Sequence, residues 1–428
     1  MVHITNLPCE LVAAILSQLD GLDDLINAIV SCRHLYAAFQ EWPSVAGNIV
    51  HNFFDPELLP FAVTAQQVST LPQPRTASAV RDFVDLLSRS DRAVLSNLRS
   101  MSLRSIYDML DTEDAITDLA FDMAECAWQE MQFDSTYRTL GSLRAVGLSP
   151  AEAFRFVRAF YRTEIFFKAF KTNAKNPDPE VIRQSQMWLV TSFAQFEIEQ
   201  IACVHDYLER TFHKRYGDIL MRAMEFGALQ VNYRTLGDNV WTQRWISQGI
   251  ASLPRLQNKS LAAKRAALLS ALGDNVPAAF LWKALKGQHE LYRTHKSAAA
   301  LSPRDALDAD SGPPSAFDYA NMDILFDEED RPTGEVVLAT LPEDDRGLRE
   351  MAYVLWDMER MKNWNLWKQI DLAPEVSSNY PRTKDLFHMQ ALWTYCEDVW
   401  RTGGRGMLPV AARNIGGLDS LASWYREN

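Results

Sequence analysis

The amino-acid sequence predicts a mainly α-helical protein: a short N-terminal three-helix module, then a large helical domain carrying an acidic, partly disordered insert. Three observations predict it. Apolar residues recur at steps of three and four along most of the chain, the spacing that lines one helix face. A Ser-Pro-Ala-Glu helix-start signal stands at residues 149–152, combining an N-cap serine, a first-turn proline and a glutamate placed to cap back. No self-similarity at solenoid or propeller periods is present. At 428 residues, 47% apolar and 23% charged, the chain has an ordinary globular composition and room for two or three domains.

Residues 7–40 read as three short helices. Pro8 suits a first helical position, where a missing N–H costs nothing, and Glu10 sits favourably in the positive first turn. Leu11, Ile15 and Leu19 follow at steps of four with Leu16 beside them. Gly21 breaks that helix; Leu22, Leu25, Ile26, Ile29 and Val30 make a second stripe, and Leu35, Tyr36 and Phe39 a third. So small a segment cannot enclose a core of its own, so one apolar face must be buried elsewhere. Pro56, Pro60, Pro72 and Pro74 predict a connector with little regular helix.

Amphipathic helices are expected from about Ser78 to Arg144. The helix opened by Ser149 carries Phe154, Val157, Phe160, Tyr161 and Ile165 on one face and ends near Asn173. One longer helix is expected over about 180–212, with Trp188, Phe193, Phe196, Ile201, Leu208 and Phe212 as core, and further helices over 218–296. Residues 297–346 shift to Asp, Ser, Pro and Ala and bury too little apolar surface to order fully; within them Met322 to Phe326 and Glu335 to Leu341 are candidates for a hairpin. Helices resume at 347–366 and 383–401, the latter ended by Gly403-Gly404. The expected division is 1–45 module, 46–77 linker, 78–296 helical domain, 297–346 insert and 347–428 the rest of that domain.

Charge and cysteines narrow the function classes. The net charge is −12, but residues 304–346 hold thirteen acidic groups against three Arg and so account for −10 of it. The remainder is nearly neutral, with no basic face for nucleic acid. No run of about 18 apolar residues indicates a membrane span, and no secretory signal is read. Cys9, Cys32, Cys126, Cys203 and Cys396 are scattered and form no CxxC pair, which fits reduced thiols in the cytosol or nucleus.

Residues Leu7, Pro8, Glu10, Leu11, Ile15, Leu16, Leu19, Leu25, Ile29, Cys32, Arg33, Leu35 and Tyr36 resemble the F-box family, in particular the short variant at the N-terminus of many fungal F-box proteins. Ser31 departs from the β-branched residue often found before the cysteine. Segments 153–162, 196–208 and 352–360 are similar to stretches in F-box proteins of filamentous fungi. The resemblance implies a three-helix module packing on a Skp-type adaptor, itself bound to a cullin scaffold, in an SCF ubiquitin ligase. It implies a non-catalytic receptor with no cofactor and an unidentified protein substrate. Leu7, Pro8, Leu11, Ile15, Leu16, Leu25, Cys32 and Leu35 would carry the adaptor contact, Cys32 as a small buried hydrophobe. A helical scaffold without ubiquitination is the alternative reading, and an all-α metal-dependent enzyme a weaker one.

Five other motifs invite chemistry. Cys203, His205 and His213 do not share one helix face, so Cys203 reads as core and His205 as polar or capping. His289, Glu290 and His295 miss the HExxH spacing. Asp327 to Asp330 is an acidic run followed at once by Pro332, and Asp308 to Gly312 places its glycine too early for an EF-hand loop. Asp310-Ser311-Gly312-Pro313-Pro314-Ser315 resembles the DSGxxS phosphodegron and makes Ser311 and Ser315 candidate regulatory phosphorylation sites. Trp356, Trp364, Trp367, Trp393 and Trp400 are either core or, if any surface captures a substrate, the first place to look.

Overall fold

Helices account for all regular structure among the described residues of the computed structural model, which are 4–42, 44–71, 76–87, 98, 101–132, 146–170, 179–223, 240–270, 281–286, 312–320 and 346–367. The chain is therefore mainly α, as its periodicity predicts. The acidic run at 327–330, the hairpin at 322–341, the helix at 383–401, and residues Ser311, Trp393 and Trp400 lie outside the described residues.

The first three helices are α1 (Cys9–Leu16), α2 (Leu22–Ser31) and α3 (Arg33–Glu41). Pro8 stands one place earlier than expected, at the N-cap, where its carbonyl accepts from the Val12 N–H at 3.1 Å. Cys32, in extended conformation, is at once the end of α2 and the cap of α3. Helix α3 packs on both α1 and α2, and Val12, Leu16, Leu25, Leu35 and Ala38 close the centre. His34 Nε2 lies 2.9 Å from the Leu7 carbonyl and ties the entry of α1 to α3.

The expected linker is instead part of the core. Residues 46–77 contain most of α4 (Ser44–Phe53) and all of α5 (Leu59–Ser69). Pro60 falls in the first turn of α5, where its missing N–H breaks no helical bond. Leu59, Pro60, Ala62, Val63, Thr64, Ala65, Gln66 and Val68 are all buried. A helix apolar on nearly every side is a central helix, not an amphipathic one, so the segment lacks the stripe by which periodicity would have revealed it. Helix α4 receives α1 and α2 and passes the contact on to the long helix α7 (Leu103–Gln132). Helix α6 (Ala77–Leu87) lies between α5 and α7 in sequence. Tyr107 on α7 donates a 2.6 Å hydrogen bond to Asp23 on α2, a second tie between module and domain.

At the centre stands α8 (Pro150–Ala169), which packs against α5, α7 and α10. Its start has the capping box read from sequence: the Glu152 N–H donates to Ser149 Oγ and the Ser149 N–H to the Glu152 carboxylate. The expected single apolar face is replaced by burial almost all round, including Arg155, Arg158, Arg162 and Glu164. The long helix expected over 180–212 is two helices, α9 (Pro179–Ser192) and α10 (Gln195–Ala223). The break has a local cause, since the Glu197 carboxylate accepts from the Ala194 N–H at 3.0 Å and starts a new helix there.

Around α10 are arranged α11 (Val240–Ile246), α12 (Ser252–Gln257), α13 (Leu261–Ser270), α14 (Leu281–Lys286) and α15 (Gly312–Ala320). Gly249 takes φ +109°, and a side chain there would meet the Glu164 carboxylate, which accepts the Ile250 N–H at 2.7 Å. Only glycine fits this approach of backbone to a buried charge. Helix α15 lies inside the segment expected to be of low order. Gly312, Pro313, Ala316 and Phe317 are buried and the helix rests on α10, so these nine residues are an ordered part of the insert.

Candidate functional site

Two regions stand out, one by its exposed apolar side chains and one by its buried charges. Eight large hydrophobic side chains are exposed among the described residues, and six of them, Ile4, Leu11, Ile15, Val30, Tyr36 and Trp42, lie within the first 42 positions. Burying one such side chain fully is worth about 1.5–3 kcal/mol, so these half-exposed groups offer roughly 1 kcal/mol each. Association itself costs about 4–15 kcal/mol; several of them must act together to hold a partner.

The eight candidate contact residues divide by location. Leu11 and Ile15, one turn apart on α1, are 53% and 45% exposed, and Pro8 is exposed ahead of them. Leu7 and Cys32 are half-buried against the core; Cys32 is thus neither surface nor fully buried hydrophobe. Leu16, Leu25 and Leu35 are buried inside the three-helix module. They shape the face but do not form it; on α1 the outward Leu11 and Ile15 are each followed by a buried residue, Val12 and Leu16. Ile4, Val30, Tyr36 and Trp42 are the exposed residues the sequence reading did not single out for contact. For Val30 and Tyr36 the signal is an apolar side chain one position past a buried one, Ile29 and Leu35.

The second region joins α8 and α10 to residues 346–367, which include the short helices α16 (Arg346–Glu350) and α17 (Met358–Asn363). Residues 351–356 are wholly buried yet not helical, so their backbone groups require partners. Side chains supply them: Arg155 Nε donates to the Leu355 carbonyl at 3.1 Å and Gln200 to that of Val354 at 2.9 Å. Arg155 also pairs with Asp357, which accepts from the Ser149 hydroxyl, and Glu152 pairs with Arg360. Arg349 grips Glu199 with two hydrogen bonds, at 2.7 and 3.2 Å, and reaches Asp206 at 3.2 Å. Arg162 pairs with Glu197 at 2.6 Å and lies over the Phe193 ring.

His205 belongs to this network and is not a helix cap. It is 2% exposed, beside Asp206 and Glu209, and one ligand atom of each lies within 4.8 Å of the others. A His-Asp-Glu set this close has the donor types of a divalent-cation site. Here, however, both imidazole nitrogens are hydrogen-bonded, to Asp206 and Gln243, and the Arg349 guanidinium already stands on Asp206. Cys203 is fully buried, and burial first, with Glu199 and Asp206 adding, pushes its thiol pKa far up, which makes it an inert core residue.

Of the phosphodegron-like stretch, Ser315 is half-buried in α15 between buried Pro313 and Ala316. Trp356 is buried and edge-on to Phe156, while Trp364 lies 4.1 Å from Trp128, ring centre to ring centre. These tryptophans are core, as the commoner reading of their spacing has it. Arg360 sits over both the Trp356 and Trp364 rings.

No family model matches the chain, and no curated protein and no solved structure matches it.

Proposed function

We propose that this protein is the substrate-receptor subunit of an SCF-type ubiquitin ligase, its N-terminal helices docking on a Skp-type adaptor and its helical domain presenting a protein substrate. The observation that carries this reading is the concentration of exposed apolar side chains on residues 4–42, in the same stretch whose sequence resembles an F-box. Exposed apolar side chains concentrated in one short stretch of chain favour a docking surface there. The chemistry asked of the chain is positional. Through the adaptor and a cullin it holds a substrate near a charged conjugating enzyme, and the effective concentration so gained replaces catalysis by its own residues.

Co-expression with a Skp-type adaptor tests the reading. A stoichiometric complex is expected for wild type and none for the Leu11→Asp/Ile15→Asp variant. Since about half of each side chain is already exposed, the variant is expected to stay folded, which its far-UV circular dichroism checks, and loss of the complex then reports contact. A monodisperse wild-type chain that ignores the adaptor would overturn the proposal. Ubiquitin transfer to a captured protein then separates a ligase receptor from a scaffold.

A further inference from the structure

We propose that His205 is a buried imidazolium whose loss of a proton unlatches α11 and residues 346–356 from α10. The argument follows from the direction of each hydrogen bond. Gln243 on α11 donates its amide N–H to Glu209 at 3.3 Å, which turns its carbonyl oxygen toward His205 Nε2 at 2.9 Å. An amide oxygen only accepts, so Nε2 carries a hydrogen. Nδ1 stands 3.2 Å from Asp206 Oδ1. The other oxygen of Asp206 accepts from the Arg349 guanidinium at 3.2 Å, which keeps that carboxyl ionised. Nδ1 therefore also donates, and a ring that donates from both nitrogens is charged.

The surroundings agree. On α10, Asp206 and Glu209 face the ring, with Glu199 reached through Arg349. On α16, Arg349 engages Asp206, and Glu350 turns to Arg210. Helix α11 presents Gln243. The charges of the other helices packed on α10 are engaged elsewhere or at least partly exposed. Arg158 and Arg162 of α8 turn to Glu197, and its Glu164 to Lys168 and the Ile250 N–H. Glu180 of α9 pairs with Arg183, Lys283 of α14 lies over Trp282, Lys264 of α13 is half-buried, and Asp318 of α15 is exposed. Burial by itself pulls the His205 pKa down, but the hydrogen bond to Asp206 and the charges of Glu209 and Asp206 outweigh it and the net direction is up.

Without the proton, one of the two ring nitrogens points a lone pair at an oxygen lone pair. The repulsion falls on Gln243, which belongs to α11, or on Asp206, which Arg349 uses to seat residues 346–356. Because the folded pKa lies above the unfolded value of about 6.5, the stabilisation is complete below that pH and is lost as pH rises through the folded pKa. Between the two values, opening of the latch rises about tenfold per pH unit, since each opening releases one proton.

Two measurements decide it. Long-range proton–nitrogen spectra of the full chain are expected to show both His205 ring nitrogens protonated at pH 7; a neutral ring would overturn the proposal without any substitution. Amide exchange, corrected for its intrinsic pH dependence, is expected to show protection of 240–247 and 346–356 falling as pH rises above about 6.5, and no such fall in His205→Gln. Equal pH dependence in wild type and His205→Gln, or none in wild type, would overturn it. Should His205→Gln fail to fold, the wild-type ring spectrum alone settles the protonation state.

Discussion

In α1, Leu11 and Ile15 are 53% and 45% exposed, whereas in α8 the charged Arg155, Arg158, Arg162 and Glu164 are all at most 4% exposed. Hydropathy alone would place these residues the other way round. The difference teaches that burial follows the availability of partners. The charges of α8 and α10 go inside because carboxylates, guanidinium groups and the carbonyls of 354 and 355 meet them there. The apolar groups of α1 stay outside because the inner side of this helix, which packs on α3 and α4, is already filled by Val12, Ala13 and Leu16.

The sharpest way to break this contrast is to strand one of the buried charges. Arg349→Met removes the guanidinium that Glu199 and Asp206 share and leaves Asp206 to His205, and removing one member of a buried pair costs about 3–5 kcal/mol. Denaturant unfolding is expected to show that loss, while the double replacement Arg349→Met/Glu199→Leu recovers part of it. A smaller loss, of about 2–4 kcal/mol, is expected for Leu25→Ala, which empties a fully buried site in the N-terminal module. Amide exchange should localise the damage to α1, α2 and α3.

Ser149→Ala removes the cap of α8 and is expected to cost about 1 kcal/mol by the same unfolding measurement. Smallest in stability, and most informative for function, is Leu11→Ala. Its unfolding free energy should stay within about 0.5 kcal/mol of wild type, while adaptor capture weakens about fivefold, the equivalent of about 1 kcal/mol. If Leu11→Ala destabilised the chain as Leu25→Ala does, α1 would face inward and the contrast would fail. Raising pH offers a milder probe of the tie between module and domain. Burial first, then the hydrogen bond to Asp23, pushes the Tyr107 hydroxyl pKa up to about 12. The contribution of this bond is complete below pH 10, the ordinary tyrosine value, and is lost as pH rises toward 12; Tyr107→Phe should abolish that dependence in a spectroscopic titration.

Local signals explain what was readable in advance. The Ser149–Glu152 capping box acts within four residues, so it survives whatever the rest of the chain does. The three short helices over 7–40 likewise follow from a proline, a glycine and apolar steps of four. Helix α5 was not readable, because four prolines over 56–74 signal a connector and only the neighbouring α8 reveals that the stretch is core. The break between α9 and α10 was missed for a related reason: Glu197 counts as an ordinary helical residue until its carboxylate is seen on the Ala194 N–H. For the candidate docking face, the pattern identified α1 but could not tell Leu11 from Leu16, which differ only in which side of one helix faces the core.

The sequence by itself determined the helical class, the first helices and the start of α8, since these depend on backbone preference and on interactions within one or two turns. Tertiary structure alone decided which apolar stripe faces water and which charges are buried. It brought Arg349 to Glu199 across 150 positions of chain, and it enclosed His205 between Asp206 and Gln243. Such choices rest on partners far away in sequence, and a charge can leave water only when those partners are already in place.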